Sequence, residues 1–175
     1  MRYIIAAIVC ILLSVPAAAQ LNLEVGVGAG PSLIRDTDNG ATFQDNSFGF
    51  QIEVGVSFND RFAISLGYLN LGEGSDTFAG VPTDIAVDAA TLGFRWTFNP
   101  ESRIEAYSRL GLTNYYSDVD PGGGFELFGA TAIDFGVGAA IPVGDSGRWF
   151  AEIRYLDGSD QEEGGVGLIG YRHRF

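Results

Sequence analysis

From Leu21 onward, apolar and small or polar residues alternate almost one for one, and the alternation is interrupted only by short polar segments. Side chains on a strand point to opposite faces with period 2. Leu21, Leu23, Val25, Val27 and Ala29 therefore share one face, opposite Asn22, Glu24, Gly26, Gly28 and Gly30. Residues 48–58 repeat the pattern, with Phe50, Ile52, Val54 and Val56 opposite Gly49, Gln51, Glu53, Gly55 and Ser57. Further apolar faces are Phe62, Ile64, Leu66 and Tyr68, then Leu92, Phe94, Trp96 and Phe98, then Ile104, Ala106, Leu110 and Leu112. Ile133, Phe135, Val137 and Ile141 form the next, followed by Trp149, Ala151, Ile153 and Tyr155. A last strand, residues 164–175, places Ile169, Tyr171, His173 and Phe175 opposite Leu168, Gly170, Arg172 and Arg174.

The pattern predicts eight strands of about ten residues, the length a tilted strand needs to cross a membrane. Tight turns are expected at Asn59-Asp60, at Asn99-Pro100-Glu101-Ser102 and at Gly144-Asp145-Ser146-Gly147, because Asn, Asp, Gly and Pro supply turn geometry. Longer loops are expected over residues 34–47, 71–84, 117–124 and 157–163. Long and short connections thus alternate, leaving both termini at the short-turn end. The fold class is all-β, an eight-stranded antiparallel up-and-down barrel.

Alternation alone fits a soluble barrel as well as a membrane one, and three features favour the apolar face outside. The opposite face is mostly Gly, Ala, Ser and Thr with isolated charges, which fits a narrow lumen better than a solvated surface. Aromatics gather beside the short turns at Phe58, Phe62, Phe98, Trp149 and Phe175, as in an interfacial girdle. Residues 1–19 have the form of a cleaved signal peptide: Arg2, an apolar run and then Ala17-Ala18-Ala19, too short to span a bilayer. Residues 20–175 are then one transmembrane β-barrel domain. Cys10, the only cysteine, leaves with that segment, so no disulfide or thiolate chemistry is expected.

Tyr107-Ser-Arg-Leu-Gly-Leu, Asp134-Phe-Gly-Val-Gly-Ala, Glu152-Ile-Arg-Tyr and the terminal Phe resemble the Gly-rich strands of the OmpA/OmpX-type eight-stranded outer-membrane barrel family. The resemblance implies a place in the outer membrane among its lipid and lipopolysaccharide. It also implies recognition of Tyr171 and Phe175 by the barrel assembly machinery. The chain ends where the barrel ends, so the peptidoglycan-binding domain of OmpA itself is not expected.

The face opposite the apolar one carries Glu24, Glu53, Glu105, Asp134 and Glu152 together with Arg95, Arg109, Arg154, Arg172 and Arg174. Unpaired ions in a narrow lumen cost several kcal/mol, so an interior charge network is expected. Arg95 should pair with Glu105 across the Asn99 turn, and Glu24, Arg172 and Glu152 should share one depth. Eight strands leave room only for side chains, which favours a plug over a small-solute pore. The net charge is −12 with arginine as the only cation, which argues against nucleic acid as a partner. The loop acids, densest at Asp157, Asp160, Glu162 and Glu163, are candidate sites for divalent cations or a basic surface partner. Asp36-Thr-Asp38-Asn-Gly40 lacks the later Glu of a calcium loop. His173 is the only histidine and lies at the end away from the loops, so a Ser-His-carboxylate lipid A-modifying enzyme is the weaker alternative. No catalysis and no cofactor are expected, and the molecule is expected to be a monomer with a structural or surface-interaction role.

Overall fold

The computed structural model describes residues 21–38, 41–78, 81–120, 126–158 and 163–175. The segment read as a signal peptide, and Asp160 and Glu162, lie outside the described residues. The strands are β1 (Asn22–Asp38), β2 (Ala41–Ser57), β3 (Phe62–Phe78), β4 (Val81–Thr97), β5 (Glu105–Asp120), β6 (Glu126–Val143), β7 (Gly147–Gly158) and β8 (Glu163–Arg174). Each pairs antiparallel with the next, and β8 returns to β1, so the sheet closes as a barrel with no free edge around its waist. The seam is completed by Phe175, whose N–H donates to Leu23 O at 2.8 Å.

The faces are those of the sequence pattern. Leu66, Phe94, Leu110, Phe135, Ile153 and Ile169 face outward and are exposed, while Glu24, Glu53, Arg109, Asp134 and Arg154 face inward and are buried. A surface that is apolar around its whole waist, over a charged lumen, is the inverse of a soluble domain. At the turn end it carries an aromatic girdle. Phe62 stacks near Phe94 and Trp96 at 5.8 and 6.4 Å, and Trp96 lies 4.9 Å from Phe98. On the β7–β8 side, Trp149 meets Tyr171 at 5.3 Å and His173 meets Phe175 at 4.6 Å.

Two features differ from the expected layout. The first two segments read as long loops are mostly strand, and the third begins as one: β1 runs to Asp38 and β2 begins at Ala41, β3 runs to Phe78 and β4 begins at Val81, and β5 runs to Asp120. Strands of 12 to 18 residues result, longer than a membrane crossing needs. β1 to β6 therefore extend as hairpins past the apolar belt, whereas the β7–β8 hairpin stops lower, at Gly158 and Glu163. The β2–β3 ladder ends at Phe50↔Asn70, where a bulge with Gly72 at φ 87° redirects β3. Above it, side chains substitute for the ladder: the Ser47 hydroxyl donates to Glu73 O at 2.8 Å, and Asp45 Oδ2 accepts from Ser75 N at 2.7 Å.

The second difference is inside. The lumen at the hairpin end is apolar, filled by Ile34, Leu69, Leu71, Ile85, Val87 and Leu156 together with Val166 and Leu168. It therefore has two layers, charged toward the turns and apolar toward the hairpin tips.

Candidate functional site

The charged layer is one connected chain of ion pairs. Arg174 bridges Asp60, at the turn-end mouth, and Glu24 at 2.9 and 3.1 Å. Arg172 passes from Glu24 at 4.0 Å to Glu53 at 2.9 Å. Arg109 holds the other Glu53 oxygen at 2.9 Å and Asp134 at 3.4 Å. Arg154 grips Asp134 through two nitrogens and reaches Gln51 Oε1 at 2.7 Å. Glu152 ends the chain 3.8 Å from Arg154, with the Tyr107 side chain also against it. Ser65 and Thr91 accept further guanidinium bonds from Arg109, at 3.1 and 3.4 Å.

Glycines make room for these side chains. The Arg109 guanidinium lies over Gly93, where even a methyl group would collide with it. Phe150 covers Gly28 and Gly170 and carries the Arg172 guanidinium 4.7 Å above its ring, a cation–π contact. Long arginines reaching across the lumen from β5, β7 and β8 to β2 thus tie together strands that are not neighbours.

One expected arrangement is corrected. Arg95 meets Glu24, not Glu105, while Glu105 pairs with Arg148 at 2.9 Å. The β4–β5 turn is longer than its Asn-Pro core suggests. The last rung is Thr97↔Tyr107, and Asn99 bridges the ends through Ile104 O at 2.9 Å and Ala106 N at 2.6 Å. Arg95 is accordingly level with Arg109, and Glu105 falls outside the ladder. Arg172 reaches Glu24 at 4.0 Å and lies over the Tyr107 ring at 5.7 Å, and Glu152 meets that same tyrosine. Arg148, Gln51, Tyr107 and the apolar layer were not singled out from the sequence, although their parity along β7, β2 and β5 placed them inward.

At the hairpin end, Asp157 stands opposite Glu163, and Glu163 is paired with Arg35 at 3.3 Å. Asp84 stands opposite Asp120. Among the described residues no three acidic, histidine or cysteine side chains converge as metal ligands. Asp88, on the outer face, accepts hydrogen bonds from Tyr68 and from Asn70, the latter at 2.7 Å. At the opposite end His173 sits between the rings of Tyr171 and Phe175, at 6.4 and 4.6 Å, within the aromatic stack of β8.

Residues 5–169 match the outer membrane protein beta-barrel domain. No curated protein sequence matches the chain. Among solved structures, Neisserial surface protein A superimposes with a TM-score of 0.69 at 18% identity, covering 87% of this chain and 97% of that one. The N-terminal β-barrel domain of Pseudomonas aeruginosa OprF gives 0.63 at 14%, covering 87% and 97%. Ail, the attachment invasion locus protein of Yersinia pestis, in complex with the heparin analogue sucrose octasulfate, gives 0.56 at 18%, covering 87% and 99%. At these identities the likeness is one of fold.

Proposed function

Because the chain belongs to the outer membrane protein beta-barrel domain family, and so is an outer-membrane barrel, we propose that it is a sealed, non-catalytic anchor that presents an acidic β-extended rim to a cationic partner at the cell surface. The observation that carries this is the partition of charge. Described arginines other than Arg35 lie in the lumen or at the turn end, while Asp45, Glu73, Asp84, Asp157 and Glu163 stand at the hairpin end. Like charges there repel one another and attract cations. The fold is shared with a protein whose description is attachment and invasion, and that protein was crystallised with a polyanion. The rim of this chain would repel such a ligand, so the complementary partner is basic. Divalent cations act here as diffuse counterions, consistent with Arg35 already occupying Glu163.

The test is titration of the refolded barrel with oligolysine and with heparin. Oligolysine should bind and be released as salt is raised from ~0.05 to ~0.5 M, where screening shortens to a few Å. Heparin should not bind. Reversing Asp84, Asp157 and Glu163 to lysine should abolish oligolysine binding. Unchanged binding in that variant would overturn the proposal.

A further inference from the structure

The turn end carries a surface unlike any other among the described residues. Among the described residues every arginine is ion-paired except Arg61 and Arg103. Both are exposed, and they stand on adjacent turns. Arg61, in the β2–β3 turn, accepts a hydrogen bond on its carbonyl from Thr97 N at 2.8 Å, at the very end of β4. Arg103 lies in the turn that begins immediately after β4. Between and above them, on the outer face, lies the larger aromatic cluster of Phe62, Phe94, Trp96 and Phe98. The nearest acids do not cancel this charge fully. Asp60 is committed to Arg174 at 2.9 Å, which leaves Glu101 as the carboxylate on the same turn as Arg103.

We propose that Arg61 and Arg103, with this aromatic wall, form a binding site for the phosphate headgroup of an anionic phospholipid in the periplasm-facing leaflet. The aromatic rings belong to the height where acyl chains give way to headgroups, and they offer an apolar surface for the chains. Arg61 and Arg103 lie in the turns beyond the strand ends that carry these rings, on the headgroup side of them, and a guanidinium matches phosphate geometry with paired N–H donors. Among the described residues, no other part of the outer surface combines unpaired arginine with clustered aromatics. The aromatic ladder on β7–β8, ending at Phe175, has no arginine without a partner beside it.

The site is tested by native mass spectrometry of the refolded chain released from nanodiscs containing equal phosphatidylglycerol and phosphatidylcholine. The wild type should retain phosphatidylglycerol in excess, with each arginine contributing about fivefold, the effect of ~1 kcal/mol per basic residue near an anionic surface. Arg61→Ala with Arg103→Ala should bring the two lipids to parity. Both positions are in exposed turns, and heat-modifiable gel migration checks that the variant folds. Arg61→Lys with Arg103→Lys should keep most of the excess, Glu101→Gln should raise it, and Arg35→Ala should leave it unchanged. Equal retention of the two lipids by the wild type, or an excess that survives in the double alanine variant, would overturn the assignment.

Discussion

Arg95 shows what a single inward side chain can reach. It leaves β4 and crosses the lumen to Glu24 on β1, where it joins Arg174 and Arg172. Glu24 thus keeps two cations if Arg95 is removed. Arg95→Met should therefore destabilise on the order of 2 kcal/mol, below the ~3–5 kcal/mol of a fully orphaned buried ion. Urea unfolding in vesicles checks the pairing through two double-mutant cycles. Arg95→Met with Glu24→Gln should couple by ~0.5–3 kcal/mol, whereas Arg95→Met with Glu105→Gln should add within ~0.5 kcal/mol. The inward parity of both residues was legible in the sequence because it follows from period 2 alone. Their partners were not. Pairing across a barrel depends on shear and on the true length of the Asn99 turn, and neither leaves a mark on alternation. The apolar layer left a fainter trace: Leu69 and Leu71, and Val166 and Leu168, occupy the parity of the charged residues. Read at face value, that parity puts leucine and valine in the lumen.

Among the elements, the hairpin extensions were read as loops because Asp, Asn, Gly and Ser depress strand propensity. Here neighbouring strands override composition: β3 pairs with β4 up to Phe78↔Val81, and β1 with β2 up to Asp38↔Ala41. β8 is the element on which closure turns, since it pairs with both β7 and β1. Its last residue adds the Leu23 hydrogen bond at 2.8 Å and the ring contact with His173 at 4.6 Å. Deleting Phe175 removes both, along with the terminal aromatic proposed as the assembly signal. Export should be unaffected while the folded, heat-modifiable fraction in the outer membrane falls severalfold and unfolded chain accumulates in the periplasm. Replacement by Trp should restore most of it, because an interfacial aromatic is retained. A deletion variant that inserts as well as the wild type would separate β8 from assembly.

At the scale of the whole molecule, the sealed barrel proposed above would block passage by different physics in its two lumen layers. An ion entering from the turn end meets Arg174 and then an unbroken run of paired charges through to Asp134. Displacing any of them exposes a buried ion to a low dielectric, at a cost of several kcal/mol. A solute entering from the hairpin end meets Leu69, Leu71, Leu156 and Leu168, all essentially without accessible surface. On that proposal, either layer alone would close a barrel whose lumen is only as wide as its side chains. Planar-bilayer recordings of the wild type should therefore show no reproducible unit conductance. Thinning the apolar layer with Leu69→Ala, Leu156→Ala and Leu168→Ala should lower stability by ~2–5 kcal/mol per site yet still open no channel, because the ionic layer remains in series. Adding Arg154→Ala and Arg109→Ala to that background removes the cations that cross the lumen, and this variant alone should show stepwise, cation-selective current from the carboxylates left behind. Discrete steps from the wild type would mean that the lumen opens in a bilayer, and the pore reading would then replace that of a sealed anchor.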